Sequence, residues 1–224
     1  MIMHAFSRLL LTELRNRRNI MLITLGADVL LIAAVTILAF HSNLDNMAFM
    51  MFLNIAVFVV VLLIPFMHGF STWREEWKQH SIYHLLALPV PRTYLLITKY
   101  IAILVEILLL LAVTIVGLWI QHWLSDGVLF RAEPLVTFEW SKVILVVKLF
   151  LTATSLVFLC SMSTLLGKWI GKLSLLVTFL AFVVGLLVWI IVFANWPSFL
   201  TLLMLSLVFF GINVYLLEKK VGVE

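Results

Sequence analysis

The segment Trp73-Arg-Glu-Glu-Trp-Lys-Gln-His-Ser-Ile-Tyr-His-Leu-Leu-Ala-Leu-Pro-Val-Pro-Arg92 lies between two hydrophobic runs long enough to cross a membrane. Its first part, with Arg74, Glu75, Glu76 and Lys78, is expected to prolong the preceding span as a polar helix past Pro65, His68 and Gly69. Ser81 then offers a hydroxyl that can accept from an unpaired backbone N–H, which predicts an N-cap for a short helix from Ile82 to Leu88. Pro89 and Pro91 stop that helix, because proline has no donor and drives the residue before it out of helical geometry. The expected product is a short helix at the membrane surface, with Leu85, Leu86 and Leu88 partly available to a partner's groove. The alternative is a helix that only lies in the interface.

Outward from this segment the chain is almost wholly apolar. Hydrophobic residues make up 64% and charged residues 12%, against about 45–50% and 25% in an ordinary soluble domain. Apolar runs at about 19–40, 47–67, 93–120, 141–166, 173–195 and 197–217 each approach or exceed the ~20 residues that a helix needs to cross a ~30 Å hydrocarbon layer. The expected fold is therefore all-α, a polytopic membrane protein of six spans forming one transmembrane domain over residues 1–224. Arg8, Arg15, Arg17 and Arg18 precede the first run, which is too long for a signal's apolar core and is followed by no small-residue cleavage pattern. Ahead of it Ile2, Met3, Phe6, Leu9, Leu10 and Leu14 recur at helical spacing, which predicts an interfacial helix over 1–18.

Charge sets the expected orientation. With the N-terminus inside, the inner segments collect Arg8, Arg15, Arg17, Arg18, Arg74, Lys78, Arg92, Lys99, Lys168, Lys172, Lys219 and Lys220, while the outer side keeps Arg131 and Lys142. Trp119, Trp123, Trp140 and Trp196 then form an outer aromatic belt, and Trp73, Trp77 and Trp169 lie near the inner face. The net charge of +4 is explained by this asymmetry and by attraction of the inner basic residues to anionic headgroups, and gives no support to nucleic-acid binding. The single cysteine, Cys160, falls inside the fourth span and allows neither an internal disulfide nor a thiolate cluster.

Few residues suggest chemistry. Gly167-Lys-Trp-Ile-Gly171-Lys-Leu-Ser174 fails the spacing of a phosphate-binding loop, and Lys168 and Lys172 read as anchors on an inner turn. Glu76, His80 and His84 would share a face of one unbroken helix, but the bend before Ser81 breaks it, so no metal site is expected. No histidine is placed with a Ser and an Asp for nucleophilic catalysis. Asp28, Glu106 and Lys148 are ionisable residues within spans, where a charge costs about 2.5–3.5 kcal/mol by insertion scales, so they should face protein or water. A Glu106–Lys148 pair between adjacent spans is the first expectation and a polar lining of a transport path the second. Ser174, Thr178, Ala181 and Gly185 form a small-residue stripe suited to close helix packing.

The run Glu75/Glu76, Ser81, Leu85-Leu86, Leu88-Pro89-Val90, Arg92 and Lys99 resembles the segment between the second and third spans of ABC-2-type transporter permeases. There glutamate, Gly-Thr, Leu-Leu, a Pro-Val/Leu-Ser/Pro-Arg motif and a lysine about two helical turns later form the coupling helix that sits on the ATPase subunit. His80-Ser81 stand where that pattern has Gly-Thr. The resemblance extends to an N-terminal elbow helix, six spans and inside termini. It implies a cytoplasmic coupling segment over 70–92, with Glu75, Glu76, Ser81, Leu85, Leu86, Leu88, Pro89 and Arg92 as coupling residues. It further implies a non-catalytic subunit without a cofactor of its own, and two copies of an ATPase that binds ATP and Mg. A second permease copy or a paralogue would complete the assembly. Such small permeases resemble exporters of antimicrobial peptides, drugs or other amphipathic compounds, in the bacterial inner membrane with both termini cytoplasmic. A haem-exporter-like permease is the near alternative. A membrane enzyme, active as a lone chain, and a passive channel, conducting without nucleotide, are the alternatives of other classes.

Overall fold

A computed structural model describes residues 2–41, 47–78, 91–124, 140–171 and 173–219. These residues form helices α1 (Ile2–His41), α2 (Met47–Lys78), α3 (Arg92–Leu124), α4 (Trp140–Ile170), α5 (Ser174–Asn195) and α6 (Phe199–Lys219), with no strand among them. All six are long and apolar enough to cross a membrane, and each corresponds to one predicted span.

Two helices, α1 and α2, run several turns beyond their predicted spans. The expected interfacial helix over 1–18 is not separated from the first span: α1 is one helix of 40 residues. The basic stretch around Arg15, Arg17 and Arg18 contains no Gly or Pro to stop it, so the helical ladder continues. The expected extension of α2 is present, running past Pro65 as far as Lys78. Pro65 cannot donate to the Val61 carbonyl, yet an apolar helix tolerates proline because local adjustments and neighbouring groups re-satisfy the backbone. One turn on, Ser71 and Thr72 both donate to the His68 carbonyl, at 3.1 and 2.6 Å.

The chain divides into two compact units. Unit 1 comprises Met1–Leu11, Phe66–Ile103 and Trp140–Glu224; unit 2 comprises Thr12–Pro65 and Leu104–Glu139.

In unit 1, α4 is the central helix and packs on α5 and α6. Its buried cluster takes Phe158, Leu159, Met162 and Leu165 from α4, Leu205, Phe209, Leu216 and Leu217 from α6, Trp73 from α2 and Leu96 from α3. Members of the small stripe of α5 pack closely, and the helix they meet is α4. A Cβ on Gly185 would overlap Leu159, and one on Gly167 of α4 would overlap Thr178 of α5. Trp189 Nε1 donates to Ser155 Oγ at 2.9 Å, so position 189 meets 155, 185 meets 159 and 178 meets 167: the two helices are antiparallel. By the same logic Gly69 lies beside Cys160, and Trp77 beside Lys168, so α2 and α4 run parallel. Asn213 of α6, wholly buried, donates to the Phe158 carbonyl at 2.8 Å.

In unit 2, α1 and α3 meet along one face each. Arg17, Met21, Asp28 and Val35 are buried on α1, and Glu106, Leu110, Thr114, Gly117 and Gln121 are buried on α3. Gly117 admits Ile32 against the α3 backbone, where any side chain would collide. Successive contacts at 17 with 106, 28 with 114 and 36 with 121 make these helices parallel.

Candidate functional site

The ends of α2, α4 and α6 and the start of α3 gather at one end of unit 1, because parallel and antiparallel packing brings the same side of the membrane together. Three cations bind them there. Lys99 Nζ of α3, on a residue only 3% exposed, sits 5.0 Å from the ring centroid of Trp73 on α2, itself 2% exposed. Lys168 Nζ of α4 lies 5.1 Å from the ring of Trp77 on α2. Contacts of this kind stabilise by about 0.5–2 kcal/mol each, more when desolvated. Arg92, the first residue of α3, donates from Nη1 to the Leu217 carbonyl at 2.7 Å and the Glu218 carbonyl at 2.9 Å. Those carbonyls belong to the last turn of α6, where a helix has no internal donors left and its dipole attracts a cation. Behind Arg92, Tyr94 N donates to the Pro91 carbonyl at 2.9 Å, and the Tyr94 ring packs edge-on against Phe6 at 5.6 Å.

Both flanks of residues 79–90 are thus fastened into unit 1: the α2 extension to α3 and α4, and the α3 start to α6. Glu75 is exposed on the last turns of α2. Ser81, Leu85, Leu86, Leu88 and Pro89, the side chain of Glu76, and His80, His84 and Lys172 lie outside the described residues. Among the expected coupling residues, Arg92 reaches α6, its Nη1 donating to two carbonyls there. Residue patterns alone assign Lys99 and Lys168 to the inner side without a partner. The signal for one was present: Trp73, Trp77 and Lys168 are all placed near the inner face by sequence, and aromatic rings there invite cations.

The intramembrane charges fall in both units, Asp28 and Glu106 in unit 2 and Lys148 in unit 1. Glu106, 2% exposed, has Arg17 Nη1 at 3.7 Å, and Arg17 Nε also bonds Glu13 Oε1 at 3.1 Å. Within unit 2 the cation beside Glu106 is Arg17, a residue that sequence assigns to the inner basic segments, because the face of α1 that carries Arg17 is the one turned to α3. Lys148 stands half-buried on α4, in unit 1. Asp28, 1% exposed, accepts from Thr114 Oγ1 at 3.5 Å while its Oδ1 has no hydrogen-bond partner. Gln121 Nε2 donates to Thr36 Oγ1 at 3.1 Å. Asp28 and Glu106 thus sit on one polar seam between α1 and α3, a seam to which Gln121, unremarked in the sequence, contributes a third rung.

Six helices long and apolar enough to cross a membrane, with charged side chains buried among them, define a multi-pass membrane protein. A family model described as ABC-2 family transporter protein matches residues 8–218, nearly the whole chain. The chain belongs to that family, and is a permease of an ABC transporter, a class of membrane subunits that works with an ATPase. Neither a curated protein nor a solved structure matches it.

Proposed function

We propose that this chain is the non-catalytic, membrane-spanning subunit of an ATP-driven exporter that moves an antimicrobial peptide, drug or other amphipathic compound outward. ATP and Mg bind to two copies of a separate ATPase, and a second copy of this chain or a paralogue completes the pathway in a bacterial inner membrane, with both termini cytoplasmic. Family membership supports the class. The observation that carries the coupling role is the fastening of both flanks of residues 79–90 into unit 1, through Trp73, Trp77 and Arg92. A partner that pushes on this segment then acts on helices, not on a loose loop. Glu75, Glu76, Ser81, Leu85, Leu86, Leu88, Pro89 and Arg92 form the coupling segment in this reading, and Asp28, Glu106 and Lys148 its intramembrane polar groups.

The test is the double substitution Leu85→Ala, Leu86→Ala. Apolar anchors in a groove contribute roughly 1–2 kcal/mol each or more. The variant should stay inserted and folded, while its ATPase no longer co-purifies and transport stops. Retention of both the partner and full transport would reject the coupling assignment.

A further inference from the structure

We propose that Arg92 is a positioning residue that transmits movement of the 79–90 segment to α6, and that it does not itself dock the ATPase. This rests on the coupling role proposed for that segment. Arg92 directs two charge-assisted hydrogen bonds, of 2.7 and 2.9 Å, inward to the Leu217 and Glu218 carbonyls. A displacement of the first turn of α3 must carry the end of α6 with it or break both bonds. The apolar packing points the same way, since Leu96 of α3 shares a buried cluster with Leu216 and Leu217 of α6. Two turns further along α3, on the same face, Lys99 is buried against Trp73 of α2. The α3 cations beside the segment thus both bond inside unit 1, Arg92 to α6 and Lys99 to α2. Both bonds leave one nitrogen, Nη1, whose two N–H groups lie fixed in the guanidinium plane, so they set the direction of the contact more firmly than a freely rotating ammonium does.

The experiment uses the full chain in lipid nanodiscs and in the assembled transporter. In the lone chain, Arg92→Ala should speed amide exchange over the last turns of α6 roughly tenfold or more, the loss expected when bonds from a charged donor are removed. Arg92→Lys should restore part of the protection, since its ammonium still has donors for a carbonyl. In the complex, Arg92→Ala should keep the ATPase at the wild-type ratio and still hydrolysing ATP, yet move less substrate per ATP, with partial rescue by Arg92→Lys. Unchanged exchange at α6, or altered exchange with normal transport per ATP, overturns the proposal. Loss of the ATPase from the Arg92→Ala complex also overturns it, by making Arg92 a docking residue. If the wild-type chain retains no ATPase at all, the coupling role fails, whereas the exchange measurement still decides whether Arg92 holds α6. Should Arg92→Ala not accumulate in the membrane, Arg92→Gln supplies the same comparison.

Discussion

At the scale of single residues, the pair between Arg17 and Glu106 shows how burial turns a charge into a constraint. Glu106 is 2% exposed and Arg17 6%, so removing either charge leaves the other in a poorly solvated place. Taking away one partner of a buried pair costs about 3–5 kcal/mol, while replacing both by apolar groups of similar shape is often neutral. Arg17→Met should therefore lower thermal stability strongly. Glu106→Gln should be milder, about 1–3 kcal/mol, because Glu13 still neutralises Arg17. The double variant should be more stable than Arg17→Met alone. An additive cycle, measured by unfolding in detergent, would show that the two groups do not interact. Sequence places Glu106 within a span and Arg17 among the inner basic residues ahead of the first, but which cation meets Glu106 depends on which helix faces pack.

At the scale of elements, the α4–α5 hairpin depends on two glycines with different tolerances. At Gly185 the atom in the way of a Cβ is the Leu159 Cδ1, the far end of a flexible side chain. At Gly167 the obstacles are Thr178 Oγ1 and, at 2.5 Å, the backbone oxygen of Ser174. Thr178 Oγ1 is itself held by a 2.7 Å bond to that Ser174 oxygen, so neither obstacle can easily move. Gly167→Ala should therefore destabilise by about 1–3 kcal/mol, the usual range for overpacking, and Gly185→Ala by less. Thermal denaturation of the two variants checks the order, and equal losses would contradict it. The turn after α4 adds a third glycine, Gly171, whose φ of +80° is a conformation that L side chains rarely adopt. The small stripe of α5 was legible because close packing demands small residues at helical spacing. Gly167, its counterpart on α4, reads in sequence only as part of a glycine–lysine turn.

At the scale of the whole molecule, helix senses within each unit agree with the charge asymmetry. α1 with α3, and α2 with α4, run parallel, and α4 with α5 antiparallel, as a chain that crosses back and forth requires. The cations assigned inside by sequence, Lys99, Lys168 and Arg92, meet at one end of unit 1, while Trp140 and Trp196 of the same unit are exposed at the start of α4 and just past the end of α5, the opposite ends of those helices. Single cysteines at Ser42 and Ser125 should therefore react with an impermeant thiol reagent from outside, and those at Ser81 and Gly222 only after the membrane is opened. External labelling at Ser81 would invert the topology and remove the segment from any cytoplasmic ATPase.

The sequence by itself determined the class, the number of spans and their order. Those properties follow from how much apolar length a bilayer demands and where lysine and arginine accumulate, quantities that are local to each stretch. It also located the polar segment between the second and third spans, because a helix-sized charged insert with paired prolines stands out against apolar runs. Only the tertiary structure decided the partners: Arg17 beside Glu106, Lys99 over Trp73, and Arg92 on the terminal carbonyls of α6. Each of these joins positions far apart in the chain, and the Arg92 bonds end on backbone oxygens, which every residue carries and no side-chain pattern can reveal.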